Sequence, residues 1–308
     1  YYADIAASLQ KLTEDCVIVY AKKSLEITGS KNLCMAGGVA LNATANGKIK
    51  GSLKLDGFFV QPASGDGGSA VGAALYYYYS IMGNSRLYYP FDTLIGKAQT
   101  IEQMQKDIDF SLVDGYKKFD DEGDFLEAVC DVLTERGVVG WFYGGFEYGP
   151  RALGARSILA NPATKEMQRI VNEKIKFREP FRPFAPSVLK SEAKDWFFLQ
   201  EPLDDNSPEV YMLSIVKAKE KACKEAAAIV HTDGTSRIQL VDSKNGLYYK
   251  LIYMFFQKTG VPMLLDTSFN LRGEPIVASL KDAIKTFELS GMDILAAYPF
   301  MVYKKERK

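Results

Sequence analysis

The stretch from residue 144 to residue 186, GGFEYGPRALGARSILANPATKEMQRIVNEKIKFREPFRPFAP, is unusually rich in basic side chains. The whole chain has 38 basic and 38 acidic residues, so this excess is local. Proline fixes φ and removes a backbone donor, which makes the proline-flanked parts stiff loops or edge strands. Guanidinium groups on stiff loops are arranged in advance for carboxylate or phosphate oxygens. The basic residues are Arg151, Arg156, Lys165, Arg169, Lys174, Lys176, Arg178 and Arg182.

Structural salt bridges are the plainer interpretation of these cations. Glu147, Glu173 and Glu179 of the same stretch could pair with them. This alternative stays open for any single cation, although it is less attractive for the whole group.

Size and composition limit the possible classes of protein. A length of 308 residues predicts about two domains. An apolar content of 47% with 25% charged residues is typical of a folded globular protein. The net charge of zero argues against a general binding surface for duplex DNA or bulk RNA.

The cysteines and the chain start add further expectations. The four cysteines are widely spaced and His231 is the single histidine, so neither a zinc cluster nor a disulfide framework is expected. Reduced thiols are typical of a cytoplasmic protein. No apolar run approaches the roughly 20 residues of a membrane span, and no signal peptide is recognisable. The chain begins at Tyr1 within a helical pattern, so we expect it to be part of a longer polypeptide.

Two glycine turns organise the first part of the chain. A helical pattern that stops at Gly29 precedes a strand at 32–35 and the turn AGGVALN at 36–42. A second strand at 57–61 leads into PASGDGGSA and a helix of small residues. Paired glycines at such turns let the backbone approach a nucleotide, and the following helix offers free N–H groups. Close packing at the corners is the alternative.

Three further features complete the first part. Asp66 lies between two glycines, where it is either a ligand of a divalent cation or a helix N-cap. The run Tyr76 to Tyr79 is predicted to be the buried and half-buried end of a helix. Residues 83–99 show no regular periodicity of apolar residues, which predicts a boundary between domains 1–98 and 99–308.

The second part alternates helices and strands and predicts an α/β fold. Asp124 is expected to cap a helix that ends at Gly137. Residues 203–224 show no clean period. The other predicted strands are 116–119, 138–143, 156–160, 184–189 and 261–265, with short strands near Ile294 and Met301, and the other predicted helices are 100–108, 164–174 after a Thr164 cap, one through Trp196, 247–258 and 281–289.

Seven polar residues fall at predicted strand ends or in stiff loops of the second part. Four are permanent cations, and no Ser-His-Asp or Cys-His arrangement accompanies them, which favours phosphate chemistry catalysed by positioning and charge neutralisation. No GxxxxGK[ST] motif is present, which excludes a P-loop. His231 is open between a general base and a structural residue. The seven are Arg151, Lys176, Arg182, His231, Arg237, Ser268 and Asn270.

The motifs resemble the O-carbamoyltransferase family, which includes nodulation protein U and the enzymes that carbamoylate aminoglycoside, cephamycin and ansamycin-type antibiotics. The resemblance runs in order through most of the chain. The matching segments are AGGVALN (36–42), SGDGGSAVGAAL (64–75), FEYGPRALGARSILANP (146–162), IKFREPFRPFAPSVL (175–189), HTDGTSRIQ (231–239) and TSFNLRGEPIV (267–277).

The resemblance implies a two-domain α/β protein. Residues 1–98 would be the carboxy-terminal part of an actin-like ATPase domain, as in the tRNA threonylcarbamoylation enzymes. Residues 99–308 would be a carbamoyl-adenylate-forming domain with a mixed twisted sheet, similar to the double-stranded-RNA-binding-type α/β domain. Carbamoyl phosphate and ATP would give carbamoyl-adenylate and pyrophosphate. The carbamoyl group would then pass to a hydroxyl of a sugar or natural product.

The resemblance also implies roles for individual residues. Four cations would hold carbamoyl phosphate and the ATP phosphates, namely Arg151, Lys176, Arg182 and Arg237. Ser268 and Asn270 would contact the phosphates or the adenylate. Mg²⁺ would accompany ATP, and Asp66 would bind a divalent transition metal, iron or zinc, in the first domain of the full-length protein. The nucleotide site of that domain would be lined by Gly37, Gly38, Asn42, Gly67 and Gly68.

The chain departs from the family pattern in three ways. The family's first domain begins with an amino-terminal half that holds the acceptor site and a His-x-x-x-His metal pair, and this chain has neither. Asp266 and Ala155 stand where asparagine is more usual. We therefore expect the chain to form carbamoyl-adenylate but not to complete transfer without the missing half. We expect no DNA or membrane partner, and a homodimer is compatible with the sequence.

Other functions are compatible with parts of the pattern. A nucleotide-binding or assembly module without turnover would keep the fold. An actin-fold sugar kinase would leave the cationic second domain unexplained. An RNA-modifying carbamoylation enzyme is less attractive because of the neutral charge.

Overall fold

The computed structural model describes residues 1–87, 92–108 and 112–304. Caps mark several helix starts: Asn42, Thr100, Asp121 and Ser279 each accept a backbone N–H bond. The helices are α1 (Tyr2–Thr28), α2 (Ala43–Ser52), α3 (Ser69–Tyr76), α4 (Ile101–Asp107), α5 (Glu122–Thr134), α6 (Lys165–Ile170), α7 (Ala193–Trp196), α8 (Glu220–Glu225), α9 (Gly246–Thr259) and α10 (Leu280–Leu289).

The strands are mostly short, and several are completely buried. The central strands at 138–142, 156–160 and 185–189 are buried at every position, as expected for a sheet covered on both faces. The strands are β1 (Asn32–Met35), β2 (Gly57–Val60), β3 (Val113–Lys118), β4 (Val138–Phe142), β5 (Arg156–Ala160), β6 (Ala185–Leu189), β7 (Phe197–Phe198), β8 (Ile215–Ala218), β9 (Thr235–Arg237), β10 (Gln239–Val241), β11 (Met263–Ser268), β12 (Ile294–Ala297) and β13 (Phe300–Lys304).

An eight-stranded mixed sheet forms the centre of the second part. Its strand order is β10-β6-β11-β5-β4-β12-β13-β3. The pairs β10–β6 and β12–β4 are parallel, and the other neighbours are antiparallel. The predicted mixed α/β fold is therefore confirmed. A three-stranded antiparallel sheet, β7-β8-β9, lies beside it.

The main hydrophobic core surrounds this sheet. Trp141 on β4, Phe125 on α5 and Phe255 on α9 are each at most 1% exposed. Such aromatic side chains carry the largest share of apolar burial in a core. The core fixes the strand ends from which the candidate site is built.

The first part contributes a two-stranded parallel sheet, β1-β2, covered by α1 and α2. Its core is shared with the second part. Leu33 and Ile49 belong to one buried cluster with Leu153, Tyr211 and Leu213. A Cβ on Gly47 would lie 2.6 Å from the Ile215 carbonyl oxygen, so the two parts meet without a gap.

The predicted boundary at 98/99 remains a prediction. Residues 88–91 of the expected linker region lie outside the described residues. Nearby, Gly96 donates its N–H to the Phe146 carbonyl at 3.0 Å, and Tyr148 donates to Thr93 at 2.6 Å. The segment before α4 therefore packs against the 144–151 loop.

The structure corrects three sequence expectations. Tyr76, Tyr77 and Tyr78 are 64%, 60% and 45% exposed, so the tyrosine run is not the buried end of its helix. The cap of α5 is Asp121 rather than Asp124, because the Asp121 carboxylate accepts the Asp124 N–H at 3.0 Å. Strand β11 extends to Ser268, so Asp266 lies within the sheet and not in the loop after it.

No described helix combines the length and apolar character that crossing a bilayer requires.

Candidate functional site

Three adjoining cavities form a basic cleft at one end of the large sheet. The first, of about 270 Å³, contains Arg151, Arg178, Arg182 and Arg237 in its lining. The second, of about 230 Å³, shares Arg178, Arg182 and Ser268 with the first. The third, of about 310 Å³, shares Arg151 and Arg237 with it. We call this set of cavities the basic cleft.

The cleft brings together all seven sequence-predicted residues of the second part. Arg151, Arg182, Arg237 and Ser268 line the first cavity. Lys176 and Asn270 line the second. His231 lines the third. Segments separated by more than 100 residues thus converge on one anion-binding space.

Arg151 and Arg237 are neighbouring, partly desolvated cations of the cleft. Burial lowers the pKa of Arg151. Burial, and then the charge of Arg151, lowers the pKa of Arg237 to about 9. Guanidinium groups nevertheless stay protonated at neutral pH. Both side chains are half-buried and line the cavity, and their Nε atoms are buried without a hydrogen-bond partner among the described residues.

Salt bridges distinguish the cleft cations from the others. Within the described part of the chain, no carboxylate oxygen lies within 4.0 Å of the guanidinium nitrogens of Arg151, Arg178 or Arg237. Arg182 is the exception in the cleft, since its Nε lies 2.8 Å from Glu179 and both side chains are about half exposed. An exposed pair of this kind is weak, so an anionic ligand could replace it.

The salt-bridge interpretation is correct for Arg169. On α6 its guanidinium contacts Glu166 and Glu173, both at 2.5 Å, at the protein surface. Glu147 is not an ion-pair partner, because its Oε1 accepts the backbone N–H groups of Leu153, Ala155 and Arg156 at 2.8 to 3.0 Å. It shapes the turn that follows Arg151.

Arg156 is a structural cation. Its side chain is fully buried, lies over the Phe142 ring at 3.6 Å and donates to the Tyr143 and Ala155 carbonyls at 3.0 Å. Burial lowers its pKa to about 10. It therefore stabilises the start of β5 and does not line the cleft.

The family resemblance implied that Lys176 contacts substrate phosphates, but its ammonium group is bonded to protein oxygens. Its Nζ donates to the Ser268 carbonyl, the Asn270 carbonyl and Asn270 Oδ1, each at 2.8 Å. Burial, and then the charge of Arg178, lowers the pKa of Lys176 to about 7. The ammonium has three donors, so these bonds saturate it. Lys176 holds the Ser268–Asn270 segment in place.

The segment that Lys176 holds is itself tightly bonded. Ser268 Oγ donates to Asn270 Oδ1 at 2.7 Å, and Asn270 Nδ2 donates to the Glu274 carbonyl at 2.7 Å. Asn270 is therefore a positioning residue, and Ser268 lies where both the first and second cavities meet.

Sequence reasoning missed Arg178 and Arg272 as cleft residues. Arg178 lines two cavities, lies over the Phe184 ring at 4.9 Å and donates from Nε to Asn172 Oδ1 at 2.7 Å. Arg272 lines the second cavity. The sequence contained a feature that could have identified each of them. Arg178 belongs to the proline-flanked basic stretch, and Arg272 follows the Ser-x-Asn element.

Asp266 is a buried acid at the floor of the first cavity. Its Oδ2 accepts the Tyr248 hydroxyl at 2.9 Å and lies 2.8 Å from Ser187 Oγ. Burial raises the pKa of Asp266 to about 7. Apart from noting it as a departure from the family pattern, the sequence assigned it no role.

His231 belongs to a tight polar turn. The backbone N–H of His231 donates to the Thr235 carbonyl at 2.8 Å, and the ring Nδ1 lies 3.2 Å from Thr235 Oγ1. Burial lowers the pKa of His231, so the ring is neutral at physiological pH. These bonds give the turn its shape, and the general-base role stays a prediction.

The glycines of the two turns in the first part do not line the basic cleft, and neither does Asp66. The glycines are Gly37, Gly38, Gly67 and Gly68. The two turns contact each other, because the Gly37 N–H donates to the Ser64 carbonyl at 2.8 Å. The nucleotide role of the glycines remains a prediction.

Asn42 is the link between the two regions. It lines the third cavity with Arg151 and Arg237. Its Oδ1 accepts the Ala45 N–H at 3.1 Å as the cap of α2, and its Nδ2 donates to Gln10 at 2.9 Å. Its amide is thus already used in shaping the third cavity.

Asp66 does not make a metal site by itself. The side chain is exposed at the start of a short 3₁₀ turn. Among the described residues, no group of three or more His, Cys, Asp or Glu side chains could hold a metal ion. The residues present do not fit the iron or zinc that the resemblance implies, and Asp66 as a metal ligand stays a prediction.

Comparison with known families decides the assignment. Residues 130–304 match the family model described as "Carbamoyltransferase C-terminus", and residues 2–75 match "Carbamoyltransferase N-terminus". The chain belongs to the carbamoyltransferase family. This confirms the resemblance inferred from the motifs.

Relatives in this family are similar along nearly the whole chain. A nodulation protein NolO of Bradyrhizobium diazoefficiens is 39% identical over 99% of this chain and 55% of its own length. An uncharacterized protein of Synechocystis is 38% identical over 98% of this chain and 52% of its own. The chain spans about half the length of these relatives.

Solved structures give a more distant similarity. A crystal structure of full-length HypF in a phosphate- and nucleotide-bound form covers 59% of this carbamoyltransferase-family chain and 22% of its own. The TM-score is 0.42 and the sequence identity 19%.

Proposed function

We propose that the basic cleft binds carbamoyl phosphate and ATP and forms carbamoyl-adenylate. The observation that carries this proposal is the convergence of Arg151, Arg178 and Arg237 without carboxylate partners. Desolvated cations fixed before the ligand arrives stabilise anionic groups strongly and need no reorganisation. Membership in the carbamoyltransferase family supports the carbamoyl group as the one transferred.

The chemistry requires several anions in one place. Carbamoyl phosphate, ATP and water give carbamoyl-adenylate, pyrophosphate and phosphate. The P–O bond between the α- and β-phosphates of ATP breaks, and an oxygen of the carbamate released from carbamoyl phosphate bonds to the α-phosphorus. Charge neutralisation and positioning carry such a reaction without a covalent nucleophile. The adjoining cavities offer room for two phosphorylated substrates.

Different residues would serve this reaction in different ways. Arg151, Arg178 and Arg237 would bind phosphate oxygens directly. Arg182 would exchange its exposed contact with Glu179 for a phosphate. Lys176 would act through Ser268, whose backbone carbonyl it holds.

The second step of the proposal concerns the acceptor. The carbamoyl group would pass from the adenylate to a hydroxyl of a small molecule such as a sugar or natural product. Mg²⁺ would accompany ATP in the cleft. The glycine turns with Asp66 would belong to the acceptor-side domain of the full-length enzyme, where a transition metal such as iron or zinc would bind with ligands from elsewhere.

Exchange of labelled pyrophosphate into ATP tests the first step. We expect exchange that depends on carbamoyl phosphate. ADP formation stimulated by a sugar would indicate a kinase instead. ATP binding without exchange would indicate a binding module, and either result would contradict the proposal.

A further inference from the structure

Asp266 shares the first cavity with four arginines yet pairs with none of them. The residue is 1% exposed and lines the cavity with Arg151, Arg178 and Arg237. Within the described ranges, no guanidinium nitrogen lies within 4.0 Å of its carboxyl group. A carboxylate near arginines ordinarily forms a charge-assisted pair. The separation instead fits a ligand that is anionic at one end and a hydrogen-bond donor at the other.

The two carboxyl oxygens of Asp266 have different surroundings. Oδ2 contacts the hydroxyls of Tyr248 and Ser187 at 2.9 and 2.8 Å. Oδ1 is buried and makes no hydrogen bond of normal geometry. The Ser157 hydroxyl, on the same face of the sheet, is also buried without a bond of normal geometry, yet it lies close enough to lower the pKa of Asp266. A buried polar atom without a partner is costly, and a bound ligand removes that cost when it supplies the missing bond.

The hydrogen-bond network places a proton on Oδ2. Gln239 Nε2 donates to the Leu153 carbonyl at 3.1 Å, which turns Gln239 Oε1 toward Ser187 Oγ at 2.8 Å. Ser187 has one hydroxyl hydrogen but lies 2.8 Å from two acceptor atoms. Both contacts are full hydrogen bonds when Asp266 is protonated at Oδ2 and donates to Ser187. Oδ1 is then a carbonyl-type acceptor.

We propose that Asp266 Oδ1 accepts a hydrogen bond from the –NH₂ group of the carbamoyl donor and so selects carbamoyl over acetyl donors. This inference rests on the proposed function of the cleft. The phosphate would contact the arginines while the planar amide lies toward the cavity floor. An acetyl donor places a methyl group at that position and leaves Oδ1 unpaired. Sites built to bond an N–H group reject analogues that lack it.

Two stable phosphonates separate this selectivity from phosphate binding. Phosphonoacetamide carries the –NH₂ group, and acetonylphosphonate carries a methyl group in its place. By calorimetry, we expect the wild-type chain to bind the amide about 10- to 100-fold more tightly. Asp266→Leu should bind the two equally. Asp266→Asn should keep the preference, because its amide oxygen replaces Oδ1 and its –NH₂ can donate to Ser187.

Arg237→Gln is the matched control for the phosphate end. It should weaken both ligands by the same factor and leave their ratio unchanged. Equal binding of the two phosphonates by the wild type, a preference that survives in Asp266→Leu, or its loss in Asp266→Asn would each overturn the role of Asp266. If neither phosphonate binds the wild type, the proposed function fails as well. Thermal melting checks folding, and Asp266→Ala replaces the leucine variant if that variant does not fold.

Discussion

Lys50 Nζ and Glu209 Oε2 form a buried ion pair, 2.8 Å apart, between α2 and the turn before β8. Their side chains are 2% and 1% exposed. Lys50 also donates to the Pro202 carbonyl at 2.8 Å. The pair joins the first part of the chain to the segment that carries Met212, which lines the first cavity of the basic cleft.

Lys50→Met should therefore destabilise the protein. Removing one partner of a buried pair leaves an uncompensated charge, which costs about 3–5 kcal/mol. The free energy of unfolding from urea titration measures the loss. The double variant Lys50→Met with Glu209→Leu should recover most of it, since apolar replacement of a whole buried pair is often neutral. An additive double variant would show that the pair is not coupled.

Arg237→Gln should strongly weaken the binding of carbamoyl phosphate and of inorganic phosphate. Loss of one desolvated cation from such a site costs on the order of 2–5 kcal/mol. Arg169→Gln is the matched control, because that arginine pairs with acids on the surface of α6. Calorimetric titration compares the two. Equal effects in both variants would contradict the assignment of the cleft.

Lys176→Met should lower both stability and pyrophosphate exchange. The change leaves the Ser268 and Asn270 carbonyls without their donor, and each unsatisfied buried group costs about 1–3 kcal/mol. The exposed Lys174→Met serves as the control. Hydrogen exchange of residues 268–274 should rise only in the first variant. Unchanged protection there would mean that Lys176 does not position this segment.

The free energy of unfolding should fall as pH rises from about 4 toward 7. Burial raises the pKa of Asp266 from 3.8 to about 7, so the native state holds a proton that the unfolded state has released. This stabilisation is complete below the pKa that Asp266 has in the unfolded state. It disappears as the pH rises past the pKa that Asp266 has in the folded state. Its size is at most about 4 kcal/mol. Asp266→Asn should lack this component, and an identical pH profile for both proteins would rule it out.

Gly68→Ala should disturb the second glycine turn, whereas Gly67→Ala should not. A Cβ at Gly68 would lie 2.2 Å from the Ala63 carbonyl oxygen, while a Cβ at Gly67 has nothing within 4 Å. Overpacking of this kind costs about 1–3 kcal/mol. Thermal melting of the two variants measures the difference. Similar melting temperatures would show that the turn yields to the added methyl group.

Local patterns predicted most of the second part correctly. Periodicity placed α9 at 247–258, and the structure has Gly246–Thr259. The strands predicted at 138–143 and 156–160 agree with β4 and β5. These elements carry strong apolar patterns because one face or both faces are buried. The exposure of the tyrosine run at 76–79 could not be predicted from periodicity, because it depends on which residues pack over α3.

The candidate site was predicted less completely than the fold. Proline-stiffened loops pointed to Arg151 and Arg182, and both line the first cavity of the basic cleft. That reasoning did not include Arg178 among the seven site residues. The family resemblance gave Lys176 a phosphate contact, although its three donors already bond to a segment more than 90 residues away. A sequence pattern does not show that two segments so far apart in the chain are close in space.

The sequence by itself determined the family, the order of the elements and the presence of many cations on stiff loops, because motifs and periodicity are local properties. Only the tertiary structure decided which cations remain without an anion. Arg169 forms salt bridges with acids one turn away along the chain. Arg151 and Arg237 lie near each other across the fold, and within the described residues neither forms a salt bridge. Charge pairing depends on distances through space, and those are fixed only when the sheet assembles.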